Sequence, residues 1–119
     1  MKLVGTDYKT FMSEELSKLS HTLDFHLDEL VAFYKTNPRR VKRAIRSISK
    51  AIKKVMKEAY KAYKRTNNDM FMEVYNTLKN LHDNILDELK EIKGNALVRE
   101  VFNVRTNMRS VLKNLSEKL

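Results

Sequence analysis

Residues 37–65 read NPRRVKRAIRSISKAIKKVMKEAYKAYKR, and two patterns are superposed in them. Asn37 and Pro38 open a helix. A side-chain amide is a good N-cap, and proline at the first helical position gives up an N–H that has no intrahelical partner. Beyond them Val41, Ile45, Ile48, Ile52, Val55, Ala59 and Ala62 recur in alternating steps of four and three. That spacing lays one apolar stripe along an α-helix over about residues 38–65. The second pattern is charge. Between Pro38 and Arg65 stand twelve Lys and Arg against one acid, Glu58, a net of +11, while the rest of the chain carries twelve cations against fourteen acids.

Working outward, Met12, Leu16, Leu19, Leu23, His26, Leu30 and Phe33 form the stripe of a preceding helix over about residues 7–34. On the other side Thr66-Asn67-Asn68-Asp69 is a break, because all four side chains compete for backbone hydrogen bonds. Phe71, Val74, Leu78, Leu81, Ile85, Leu89 and Ile92 mark a third helix over about 69–93. Gly94 then suits a helix end that needs positive φ, and Asn95 is expected to cap a last helix over about 95–118. Its stripe is Leu97, Val101, Val104, Met108, Val111 and Leu115, broadened by Val98, Phe102 and Leu112.

Four helices of similar length with short links predict an all-α fold, an antiparallel up-and-down four-helix bundle forming a single helical domain over residues 1–119. With 119 residues, 2 Gly and 1 Pro, the chain has too few turn residues for a β fold and enough length for a core without staples. The alternative is that the Gly94 break fails, so that long helices form an intertwined homodimer. With no cysteine, disulfides and thiolate metal sites are excluded. The first residues lack the apolar run of a signal peptide. The longest wholly apolar run, Leu30 to Tyr34, is far short of the ~20 residues of a membrane span. A cytoplasmic protein is expected.

On the second helix, Val41, Ile48 and Val55 at heptad position d and Ile45, Ile52 and Ala59 at a fix the rest. Position b holds Arg39, Arg46, Lys53 and Tyr60; c holds Arg40, Ser47, Lys54 and Lys61; f holds Arg43, Lys50, Lys57 and Lys64. These three rows face away from the core. Six acids lie in each of the first and third helices. They can reach Lys42 and Arg65 at the e and g edges, but not b, c and f. A solvated face ordinarily mixes both signs, so this one is expected to bind an anion. Nucleic acid, DNA or RNA, leads, because cations arrayed along one face displace counterions from a phosphate backbone without reading bases. Tyr60 can stack on an exposed base or simply pack at the bundle edge. The expected site is therefore Arg39, Arg40, Arg43, Arg46, Lys50, Lys53, Lys54, Lys57, Tyr60, Lys61 and Lys64. Arg99, Arg105, Arg109 and Lys113 of the last helix can widen it only if that helix adjoins the second, which up-and-down order does not allow. The competing reading docks the same helix on an acidic partner protein. A membrane surface ranks last, since the apolar face is needed for the bundle.

No catalytic signature accompanies these charges. His21 and His26 are five apart, no Glu or Asp stands three before any histidine, and no HExxH motif occurs. The acids Asp24, Asp28 and Glu29, and Asp83, Asp87 and Glu88, read as outward-facing charges. Two glycines build no phosphate-cradling loop. The expectation is a non-enzyme with no cofactor and no metal.

Overall fold

The computed structural model describes residues 5–91 and 94–119 and consists of α1 (Gly5–Phe33), α2 (Pro38–Thr66), α3 (Asp69–Glu91) and α4 (Asn95–Lys118). Among the described residues there is no strand. Each helix packs on its sequence neighbour, and α4 closes the ring against α1, so α2 and α4 lie diagonal to one another. Antiparallel order follows from side-chain pairs: Arg65 of α2 donates to the Tyr8 hydroxyl of α1 at 3.5 Å, and Tyr34 donates to Asn95 Oδ1 at 3.2 Å. The rod measures 48 × 24 × 19 Å. No described helix is long and apolar enough to cross a membrane.

The breaks fall where local chemistry puts them. Asn37 Oδ1 accepts from the Arg40 backbone N–H at 3.2 Å, with Pro38 beginning the helix. At the other end of α2, Asn67 takes the left-handed conformation (φ 55°) and its N–H reaches Tyr63 O at 2.8 Å. An asparagine tolerates that conformation better than most side chains. Asn68 Oδ1 then accepts from Met70 N–H at 3.0 Å and starts α3. Gly94 has φ 69°, which only glycine adopts without strain. The turn there sends α4 back along α1 within the same chain, so the bundle closes on itself. Gly94, not Asn95, occupies the cap of α4. Asn95 is already inside the helix, where its side chain serves Tyr34 instead.

The core runs through all four helices, with Met12, Leu16, Leu23, Leu27, Ile48, Ile52, Phe71, Leu78, Ile85 and Met108 essentially fully buried. Each such side chain supplies about 1.5–3 kcal/mol of burial. Several expected core positions differ. Leu27, not His26, takes the α1 register, and His26 sits at the edge, bonded to Glu29 at 2.7 Å. In α2 the buried set is Ala44, Ile48, Ile52, Val55, Ala59 and Ala62, with Val41 and Ile45 only half-buried. In α1 the seven-residue step from Leu23 to Leu30 is kept and only the order of three and four is exchanged, whereas in α2 two successive steps of four appear, as a helix of 3.6 residues per turn requires when a strict seven-residue repeat drifts. Phe102 does not broaden the α4 stripe; it is 70% exposed. Ile92, expected in the α3 stripe, lies outside the described residues.

Candidate nucleic-acid interface

α2 presents its stripe to the core, so its remaining arc must face water. Arg39, Arg40, Arg43, Arg46, Lys50, Lys53, Lys54, Lys57, Lys61 and Lys64 are all exposed. Along a helix rising ~1.5 Å per residue, the central row of Arg43, Lys50, Lys57 and Lys64 places a cation about every 10.5 Å. Arg39, Arg46 and Lys53 flank it on one side, and Arg40, Lys54 and Lys61 on the other.

Where the acids go decides whether this charge is free. Asp24 and Asp28 of α1 turn to α4: Arg105 reaches Asp24 at 3.4 Å and also Asp28, and Arg109 reaches Asp24 at 3.0 Å. Asp24 is three-quarters covered, so the expectation of a simply outward-facing acid fails for it. Lys118 of α4 meets Glu73 of α3 at 2.5 Å. Glu29 holds His26, and Asp83 holds His82. Burial, a hydrogen bond that the protonated Glu88 donates to Glu100, and the charge of Glu100 push the Glu88 carboxyl above its usual range. Among the described residues, no ion pair joins α2 to another helix. Its single ion pair is internal, Lys61 to Glu58 at 3.9 Å.

Lys42 and Arg65 depart from expectation in the same direction. Both are exposed and neither meets a carboxylate among the described residues; Arg65 has only the Tyr8 hydroxyl. They extend the cationic surface to the edges of α2. Nothing in the sequence gave this away, since the acids of α1 and α3 are numerous enough to have neutralised them.

The cost of such a helix can be bounded. The twelve cations make thirteen pairs at i,i+3 or i,i+4 spacing. At ~0.2–0.5 kcal/mol each, the repulsion totals about 3–6 kcal/mol at low ionic strength, less under physiological salt. Ile48, Ile52 and Val55 offset it by burial. An anion along the outer face would relieve it directly.

Tyr60 is 41% exposed, but its ring is occupied. Tyr75 of α3 packs against it at 5.8 Å between centroids, and the Lys64 ammonium sits 5.4 Å from it. Arg40 lies over the Phe33 ring at 4.7 Å, which orients its guanidinium at the start of the cationic face. Arg99, Arg105, Arg109 and Lys113 are on α4, diagonal to α2, and the first-quadrant neighbours of α2 are α1 and α3. They therefore do not widen the surface.

At the α2–α3 seam, His82 is the buried polar side chain of the core. Its Nδ1–H donates to Asp83 at 3.0 Å and its Nε2 accepts from the Ser49 hydroxyl at 2.7 Å, so both ring nitrogens are used. It is a packing element of the seam. Among the described residues no group of three or more His, Asp or Glu is placed to hold a metal ion.

No family model, curated protein or solved structure matches this chain.

Proposed function

We propose that this protein binds nucleic acid through the exposed face of α2, by contacts to the phosphate backbone with little sequence preference, and that it acts by binding and not by catalysis. The observation that supports this most is the segregation of charge. Asp24, Asp28 and Glu73 pair with α4, and Glu29 and Asp83 with local histidines, while ten cations in three parallel rows on α2 face solvent, nine of them without a carboxylate partner among the described residues. Phosphate neutralisation by such an array releases condensed counterions, which supplies affinity that needs no base contact. The three rows hold Lys, Arg, one Ser and the packed Tyr60, with no Asn or Gln to read an adenine edge.

The test is fluorescence anisotropy of labelled DNA and RNA titrated with the full chain at several salt concentrations. A face engaging six or more phosphates loses about a thousandfold or more in affinity between 50 and 200 mM salt. Absence of binding at 50 mM salt would overturn the reading and move the cationic face to an acidic protein partner. An acidic partner would be identified by a defined stoichiometry and a shallower salt response.

A further inference from the structure

Resting on the nucleic-acid reading above, we infer that the ligand of the α2 face is double-stranded, contacted on both phosphate backbones over about one duplex turn. Three observations converge on a duplex. The first is the disposition of the rows. Arg39, Arg46 and Lys53 lie on one flank of α2 and Arg40, Lys54 and Lys61 on the other, with Arg43, Lys50, Lys57 and Lys64 between them. A helix with its side chains is ~10–12 Å across. The two outer rows stand ~100° apart around that circumference, so the cations fan out to both sides of the central row in place of forming one line. A single strand can occupy one row at a time; two strands can occupy both.

The second is rigidity. α2 is one unbroken helix held in a 48 Å rod, and Arg39 to Lys64 spans about 37 Å at ~1.5 Å per residue. At ~3.4 Å per base pair this matches roughly 11 base pairs. A flexible single strand would lose conformational freedom when laid along a fixed straight array, whereas a duplex is stiff over ~150 base pairs and is ordered beforehand. The duplex also carries a charge every ~1.7 Å and returns more counterions per contact, with a salt slope near −0.9 per phosphate against about −0.7 for a single strand.

The third concerns the aromatic rings that single-strand binders use as stacking platforms. Tyr60, the one ring among the cationic rows, is already packed on Tyr75 and covered by Lys64. Phe25 is 62% exposed, but it lies on α1 one helical turn from Asp28 and Glu29, whose charges repel a phosphate chain. Phe102 belongs to α4, diagonal to α2.

The experiment uses hairpin-closed duplexes of 8, 12 and 24 base pairs, in DNA and in RNA, and unpaired strands of the same lengths, all at 100 mM salt. Duplex binds at least ten times more tightly than the unpaired strand of equal length. Affinity rises steeply from 8 to 12 base pairs, and beyond 12 only by the statistical gain from added sites. Tyr60→Ala and Phe25→Ala change duplex affinity less than twofold. Whichever duplex, DNA or RNA, binds more tightly names the source, since the double backbone is common to both. Unpaired strands binding as tightly as duplex, with a tenfold loss in Tyr60→Ala or Phe25→Ala, would overturn the duplex inference and leave nucleic-acid binding standing. Failure of every probe to bind at low salt would overturn both.

Discussion

Reversing Arg43, Lys50 and Lys57 to Glu separates the function of α2 from its stability, because the two are expected to move in opposite directions. All three lie in the central outward row and are exposed, so the core is untouched. If each contacts one phosphate, its loss at 0.1 M salt removes about 0.9 of a decade in affinity, and the three together ~500-fold. Repulsion from the new carboxylates adds to that. The salt slope becomes shallower by about 2.7 on the same basis. Stability goes the other way. These residues take part in nine of the thirteen like-charge pairs along α2. Turning each from repulsion to attraction is worth at most ~0.4–1 kcal/mol, and solvent screening of exposed groups removes half or more. A net gain of about 2–4 kcal/mol at low salt remains, which for a domain of this size raises Tm by roughly 6 °C or more. Anisotropy and thermal unfolding followed by circular dichroism read the two effects on one preparation. A variant that loses binding and stability together would mean that the row is structural. A variant more stable than the parent that still binds would refute the assignment of the site to α2.

Other positions test the frame that carries this face. Ile52→Asp buries a lone charge against fully covered neighbours and should unfold the bundle, abolishing its cooperative thermal transition. Ser49→Ala removes the hydroxyl that donates to His82 Nε2 and should cost about 1–2 kcal/mol in denaturant unfolding with duplex affinity unchanged. Glu88 has a pKa raised in the fold, so its protonated form is favoured there. Its contribution to stability is fully present below the ordinary carboxyl value of 4.5 and is lost as pH rises through the raised value. Glu88→Gln should therefore be more stable than the parent at neutral pH, with a flatter stability profile above pH 4.5; an unchanged profile would mean that Glu88 and Glu100 do not share a proton.

The helix boundaries were readable from sequence because each rests on a local rule. Asn37-Pro38, Thr66 to Asp69 and Gly94 act through their own backbone and side-chain geometry, and the three links form there. The face of each helix was readable to within one residue. Leu27 displaces His26, and Ala44 displaces Ile45, because periodicity fixes the angle of a stripe only to about one residue and packing chooses within it. Asn95 was mistaken for a cap because glycine at 94 can serve as one without offering a side chain. Phe102 was placed in the stripe on apolarity alone, and nothing local marks an exposed phenylalanine.

The exposure of the ten cations was legible, since heptad position sets it directly. The commitment of Asp24 and Asp28 to Arg105 and Arg109 was not. Those partners are about eighty residues apart in the chain, and only closure of the ring by α4 on α1 brings them together. Lys42 and Arg65 meet no carboxylate among the described residues either, which makes the cationic face wider than its sequence pattern implies.

The most direct test of the central claim is to map the contact itself, by following backbone amide and Lys and Arg side-chain resonances of the full chain during titration with a 12-base-pair duplex at low salt. Perturbations confined to α2, strongest at Arg43, Lys50, Lys57 and Lys64 and absent from Arg99 and Lys113 of α4, are the predicted result. Perturbations centred on α4, or none on α2 while the duplex binds, would contradict it.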